Sequence, residues 1–340
     1  MATLGATALT YADWAKRLED DYRIAVIIEL LSQTNEILED IVFREANQPT
    51  SHVVTIRTGL PAVYWRQYNA GVPTSKSTTA QVTEACGMME ARSHIDVKLA
   101  KLNGNTAAFR LSEDVAFLEA MNQTMADTMF YGNPSVDPKT FTGLATRYSA
   151  ISGAANAQNV MDAGGTGSDN TSVYLVVWGD ETVFCPFPKG SVAGLQHNDL
   201  GEESVADSNG NYYQALRTLY QWDNGLVVKD WRYVVRICNI DVSDLVGLTG
   251  TQASSAATEL IKMLARAIDR IPNLNMGRAA FYGNRTILSL LRIMAMQKST
   301  TALSIVEALN QFGKPGREVQ FLGIPFRKVD RLLNTEARVV

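Results

Sequence analysis

The chain has 340 residues, 46% of them hydrophobic and 19% charged, with 31 basic against 35 acidic side chains and a formal net charge of −4. That balance excludes a disordered chain, which needs low hydrophobicity with high net charge, and argues against a dedicated nucleic-acid binder, which shows a basic patch or tail. Three cysteines (Cys86, Cys185, Cys238), odd in number and far apart, make no disulfide framework and suit a reducing compartment during synthesis.

The segment Met1 to Thr10 has no basic flank and no apolar stretch of signal-peptide length, so none is expected. No run approaches the ~20 apolar residues of a membrane span. An amphipathic helix is predicted after Thr10, which can cap it with Asp13 in the capping-box position. Trp14, Leu18, Ile24, Ile27, Ile28 and Leu31 follow at helical spacing, with a break or new start at Glu19-Asp20-Asp21.

From His52 onward the pattern changes. Val54, Ile56, Val63, Trp65 and Tyr68 suit strands. Asn69-Ala-Gly-Val-Pro73, the polar run Thr74 to Thr79 and a second arm from Gln81 to Met89 complete a long hairpin or extended loop. An arm of about 10 residues reaches roughly 30 Å, far enough to leave its own subunit. Ser112 is the predicted cap of the next helix, with Glu113 and Asp114 in its first turn. Val115, Leu118, Met125 and Met129 line it, and Gly132 with Pro134 ends it.

Ser149 to Thr171 is rich in Gly, Ala, Asn and Ser and reads as a mobile loop. Strands are predicted over Val173 to Trp178, Thr182 to Phe187, Tyr212 to Tyr220 and Leu226 to Ile240, with Asp223-Asn-Gly225 as a hairpin turn between the last two. One helix carries Ala257, Leu260, Ile261, Leu264, Ile268 and Ile271 on one face and stops at Pro272. Another starts near Asn284 with Ile287, Leu288, Leu291 and Met294. Phe312 to Gly316 is a loop, and Val319 to Val329 closes as a strand or strand pair.

Catalytic chemistry is scarce. His52, His94 and His197 are isolated, no nucleophile elbow accompanies them, and CxxC and HExxH spacings are missing. The run Gly164-Gly-Thr-Gly-Ser-Asp169 resembles one calcium-binding nonapeptide unit, an architecture that needs several copies, and lacks the Lys-Ser/Thr ending of a phosphate loop. Glu202-Glu203 reads as a solvated pair in a polar loop. No catalytic residue, cofactor or metal site is expected.

The order of elements resembles that of tailed-phage major capsid proteins with the Hong Kong 97 type fold. Trp65 to Glu84 (WRQYNAGVPTSKSTTAQVTE) looks like their extended E-loop, Ser112 to Phe130 like their spine helix, and Phe321 to Leu333 (FLGIPFRKVDRLL) like their returning strand. Tyr131-Gly-Asn133 with Phe141-Thr-Gly-Leu-Ala145, and Arg236-Ile-Cys-Asn-Ile240, match the stretches between. The resemblance implies an α+β capsid subunit divided into an N-terminal arm (1–50), an E-loop (51–104), a peripheral domain with spine helix (105–170), a shared β-rich region (171–243), an axial domain (244–316) and a peripheral return strand (317–340). It implies self-assembly into hexamers and pentamers of an icosahedral head enclosing double-stranded DNA, with weak DNA contact, no membrane, and scaffolding, portal and decoration proteins as partners. It places the protein in the virion after synthesis in the host cytoplasm. Trp65, Arg66, Tyr68, Val72 and Lys76 are the candidate intersubunit contacts. Some relatives cross-link a loop lysine to a distant Asn; Lys76 has no identifiable acceptor, and cross-linking is not expected. An encapsulin-like shell around a cargo enzyme is the nearest alternative, with a cryptic enzyme and a tail or decoration protein behind it.

Overall fold

The computed structural model describes residues 9, 33–102, 106–207, 209–246, 253–296, 303–309 and 315–340. The predicted helix after Thr10 therefore lies outside the described residues, as do Phe312 to Lys314 of the predicted late loop.

The fold is organised around one strand. Asn170–Trp178 (β5) is buried at all nine positions. Successive side chains of a strand point to opposite faces, so Tyr174, Val176 and Trp178 enter one core and Val173, Leu175 and Val177 another. A strand covered on both faces reads as a continuous apolar run, as this one does from Val173. Each fully buried aliphatic side chain is worth ~1.5–3 kcal/mol.

The first core is closed by the long helix Thr106–Tyr131 (α1), through Met121, Met125, Met129 and Phe130. The second is closed by Ala253–Arg270 (α2) and Arg285–Met296 (α3), through residues such as Leu260, Leu264, Ile287 and Leu291. Asn284 caps α3, its Oδ1 accepting from the Ile287 amide at 3.0 Å. Both helices match the predicted apolar faces.

Around β5 the large sheet runs Phe43–Glu45 (β1), Val183–Phe187 (β6), β5, Arg278–Gly283 (β11), Ile324–Lys328 (β14), Pro315–Phe321 (β13) and Leu303–Leu309 (β12). Val234–Asp241 (β10) pairs with both β5 and Val160–Asp162 (β4), and Val227–Val228 (β9) pairs with β6. A second sheet is ordered Ser51–Gly59 (β2), Thr78–Asp96 (β3), Tyr212–Gly225 (β8) and Gln196–Ala206 (β7).

Several expectations are corrected. The helix begins at Thr106, not at Ser112, whose hydroxyl donates back to the Phe109 carbonyl at 2.8 Å in the i−3 manner of a residue inside a helix. Val115 and Leu118 are exposed, because this half of α1 lies beyond the core at the level of β7 and β8. Asp223-Asn-Gly225 is not a turn: it ends β8, with Gly225 opposite Cys86. Its glycine serves close approach, since a Cβ there would lie 3.0 Å from the Ala85 carbonyl oxygen. Glu202 and Glu203 lie in β7, and Glu203 pairs with Arg217. The Ser149 to Thr171 stretch is not wholly loop, since Asn159 and Val160 are buried and β4 pairs in parallel with β10. Pro315 and Gly316 begin β13. Val63, Trp65 and Tyr68 fall outside any strand, because the β2–β3 ladder ends at Gly59 opposite Thr78.

The C-terminal segment is held by a buried charge. Arg236 of β10 meets Glu336 at 2.9 Å, both side chains 5% exposed. Glu336 also accepts from the Tyr131 hydroxyl at 2.5 Å and from the Ser172 hydroxyl. Arg236 donates further to the Ser172 hydroxyl and the Tyr148 carbonyl and stands over the Tyr174 ring. Burial, followed by the Glu336 charge, pushes the Tyr131 hydroxyl well above its usual range, so it stays a donor. Asn239, at φ 56°, exchanges two hydrogen bonds with the Val339 backbone. Truncation of one ion-pair partner strands the other in low dielectric, at a cost of ~3–5 kcal/mol. Glu336→Ala is accordingly expected to lower the unfolding free energy by that amount, read as a lower guanidinium midpoint at unchanged slope. A shift under ~1 kcal/mol would show the pair to be dispensable.

Candidate intersubunit site

The β2–β3 hairpin leaves the body at a defined hinge. Residues 78–85 of β3 pair with β2, whereas Cys86 onward pairs with β8, so one strand serves two partners in succession. Glu84 sits at that handover. Its two carboxylate oxygens accept from the Arg147 guanidinium at 2.6 Å each, and Arg147 also donates to the Leu226 carbonyl at 2.9 Å. Bidentate geometry with both side chains largely buried is the strong form of this contact. Arg147 stands in the short helix Leu144–Arg147 that follows α1, so the hairpin root is tied to the long helix.

From that root the ladder runs for the nine residues of β2, roughly 30 Å. Thr58 donates to the Thr78 hydroxyl at 3.1 Å at its far end, and Ser75 to the Ala62 carbonyl at 2.8 Å just beyond. Pro61 and Pro73 have no amide to donate to a strand. Asn69 takes a left-handed conformation, φ 62°, in the Gln67–Ala70 turn. Trp65 is 104% exposed, Tyr68 98% and Val72 50%; Arg66 and Lys76 are exposed as well. All five candidate contacts thus share one excursion, and none makes a side-chain hydrogen bond or ion pair among the described residues. Leu60 and Val63, which the candidate set omits, are 80% and 91% exposed and belong with them.

The second sheet is bound to α1 away from the hairpin. Arg110 grips Asp199 of β7 with two hydrogen bonds, 2.7 and 3.0 Å, and reaches Thr218 of β8 at 3.0 Å. Phe117 stacks on Tyr220. The Asp199 carboxyl is held below the usual carboxylate range, first by the Arg110 hydrogen bond and then by the Gly201 amide.

The three histidines lie apart on β2, β3 and β7, and His52 packs edge-on against Phe184. Cys86, Cys185 and Cys238 are free thiols; burial raises Cys86 and Cys238 to about 11, far from a nucleophilic thiolate at neutral pH. Among the described residues no three His, Cys, Asp or Glu side chains converge as a metal set, and no helix is long and apolar enough to cross a membrane. The glycine run Gly164 to Gly167 is a loop between β4 and β5.

What this surface offers is apolar area without a core of its own. The family described as Major capsid protein GP7 matches residues 19–340. The chain belongs to that family. A solved structure of bacteriophage Epsilon15 is 36% identical with a TM-score of 0.71, covering 100% of this chain and 99% of that one. A bacteriophage JBD30 capsid chain matches at 8% identity and TM-score 0.46, covering 89% and 93%. The SrpI encapsulin of Synechococcus elongatus PCC 7942 matches at 8% and 0.46, covering 68% and 96%. No curated protein sequence matches the chain. The protein is a major capsid protein of a tailed phage with the Hong Kong 97 type fold, a structural component of the virion that self-assembles into capsid oligomers.

In this GP7-family subunit the Arg110–Asp199 clamp has a defined pH dependence. A carboxylate whose folded pKa is depressed contributes stability above its unfolded value, ~3.9, and loses it as pH falls through the folded value. Asp199→Asn is therefore expected to speed amide exchange in β7 and β8 at pH 7. The wild-type and variant rates, corrected for intrinsic exchange, should converge toward pH 2.

Proposed function

We propose that the subunit forms hexamers and pentamers of an icosahedral head around double-stranded DNA, and that the hairpin carrying Trp65, Arg66, Tyr68, Val72 and Lys76 binds a neighbouring subunit. The observation that carries this reading is Trp65: a fully exposed tryptophan on a proline-bounded loop has no partner among the described residues, while buried aromatic anchors dominate protein interfaces. In this reading 51–104 is the E-loop, 105–170 with 317–340 the peripheral domain, and 244–316 the axial domain that meets its copies around the capsomer centre. Residues 171–243 are shared, and 1–50 is the arm. Many weak contacts, repeated by symmetry, then close the shell. The role is structural, without catalysis, and Lys76 stays unlinked. Synthesis is in the host cytoplasm, with scaffolding, portal and decoration proteins as partners.

Electron microscopy of the expressed full chain, with scaffold supplied if needed, is the test; closed icosahedral particles are expected, and filaments or monodisperse monomer would refute the proposal. A shell that copurifies with a cargo enzyme and no phage DNA-packaging function would favour the encapsulin reading. Trp65→Ala should leave the free subunit's unfolding midpoint unchanged and weaken assembly by ~2–4 kcal/mol per interface. A variant that unfolds as a monomer would show Trp65 to be a core residue.

The mild acidity has its own consequence. With −4 net charge and no basic run in the sequence, few phosphates are neutralised on contact. Filter binding of the free subunit to duplex DNA at physiological salt is expected to be weaker than ~1 µM.

A further inference from the structure

The second sheet and α1 leave a hollow between them. Successive side chains of a strand alternate in direction, so Gly87 and Met89 of β3 share one face with their cross-strand partners on β8, Asn224 and Trp222. That face is turned to α1, since the Asn224 amide reaches the Met125 sulfur at 3.7 Å. Gly87 brings no side chain to it, and Thr124 and Thr128 opposite are small. The space left over, about 130 Å³, is walled by Met89, Met125, Phe141 and Trp222. A Cβ on Gly87 would stand 3.3 Å from the Lys139 carbonyl oxygen and 3.4 Å from the Phe141 ring, so the segment Lys139–Phe141 crosses directly over the glycine. An apolar cavity of ~150 Å³ accepts one benzene, which sets the size of an occupant at a single ring or a short chain. Methionine and aromatic walls adapt to such a body, and sulfur–aromatic contacts are favourable.

The polar groups at the hollow narrow the chemistry further. Trp222 is 9% exposed, and its indole N–H is buried without an acceptor among the described residues. Buried donors in folded proteins are nearly always paired. Thr124 and Thr128 cannot answer a second acceptor, because their hydroxyls donate to the Ala120 and Thr124 carbonyls, each at 2.8 Å. Lys139, at the edge, is exposed and makes no ion pair among the described residues. Among those residues no carboxylate lines the hollow. One unpaired donor and one free cation beside apolar walls ask for an apolar body with an anionic, accepting head. A water molecule would serve the indole and leave the walls without contacts.

We infer that this hollow binds one small organic acid, an aromatic or short aliphatic carboxylate, its apolar body between Met89, Met125 and Phe141 and its head accepting from the Trp222 indole beside the Lys139 ammonium. Gly87 follows Cys86, where β3 passes from β2 to β8, so a bound acid ties the hairpin root to α1 and to the segment after it. The site belongs to the folded subunit and does not depend on how subunits assemble.

The test uses the full chain as free subunit, labelled with 15N at its five tryptophans. Sodium benzoate is the probe, with benzyl alcohol as its uncharged counterpart and benzylamine as its cationic one. Benzoate is expected to shift one indole signal saturably, with a Kd of about 1 mM, the order open to so small a ligand. That signal should be the one missing from Trp222→Phe, which keeps an aromatic wall, removes the donor and weakens benzoate about 10-fold. Lys139→Met, at an exposed position where folding is not at stake, should weaken benzoate about 3-fold and leave benzyl alcohol unchanged. Benzylamine should bind worst of the three. Thr124→Leu, on the exposed side of α1, fills the hollow and should abolish binding at an unchanged unfolding midpoint. No saturable shift up to about 20 mM benzoate would overturn the inference, a limit well above the Kd open to this ligand. Benzylamine binding as well as benzoate, or benzoate binding untouched by Thr124→Leu, would overturn it too. A cryo-EM map in benzoate gives the direct answer: a ring between Met89 and Phe141 supports the site, whereas waters alone or a neighbour's side chain there refute it. None of these outcomes bears on closed-particle formation, which tests the assembly reading separately.

Discussion

The Arg236–Glu336 pair is the constraint on which the body of the subunit depends. It gathers three parts distant in sequence: the end of α1 through Tyr131, the adjoining strands β5 and β10 through Ser172 and Arg236, and the final residues through Glu336 itself. A buried ion pair is weak evidence for net stability, because desolvation offsets much of the attraction. Its value here is in geometry. With every oxygen of Glu336 engaged, there is one place the C-terminal segment can lie, and Asn239 repeats the fastening at Val339. A second polar chain does the same for the start of the described body. The Trp178 indole donates to the Tyr282 hydroxyl, which donates to Asp40, with Arg327 at 3.2 Å from the same carboxylate. Both ends are thereby fixed to the sheet that α1, α2 and α3 enclose.

That enclosure divides the molecule into a part that is complete and a part that is not. The large sheet has helices on both faces and buries its central strand entirely. The second sheet has α1 and the short helix Val97–Ala100 beside it, two bonds from Arg110 to Asp199, and a burial pattern along β7 that alternates only between exposed and half-buried. Its hairpin carries apolar residues that none of the described residues covers. For a monomeric enzyme such exposure would be a liability for aggregation. For a subunit whose family assembles shells it is the unsatisfied half of a contact, and the ion pair Glu84–Arg147 keeps it aimed from a fixed root.

How much of this was readable in the sequence depended on burial. β5, α2 and α3 announce themselves, since a two-sided core demands a continuous apolar run and a one-sided one demands a 3.6-residue stripe. The loop was legible for the opposite reason: aromatics mixed with Pro, Gly, Ser and Thr have no periodicity that a core could use. β7 was invisible because it has no buried face; Gln196 to Ala206 contains two glutamates and an aspartate and reads as loop. The Asp-Asn-Gly signal misled because Gly225 satisfies a near-contact with the β3 backbone, a requirement local sequence does not express. The early start of α1 escaped because its first turn carries no acidic residue, while Ser112 and its two acids imitate a terminus from inside the helix.

The continuity of β3 has a mechanical consequence. Its 19 residues are hydrogen-bonded first to β2 on one edge and then to β8 on the other. A pull on the loop tip along the hairpin axis therefore travels down a single backbone into the β8 ladder, loading its rungs in shear, all at once, instead of unzipping them one by one. With Glu84 and Arg147 clamped where the load changes edges, the hairpin is less a flap than a tie rod. Internal pressure in a filled head would be borne by strands aligned with the tension.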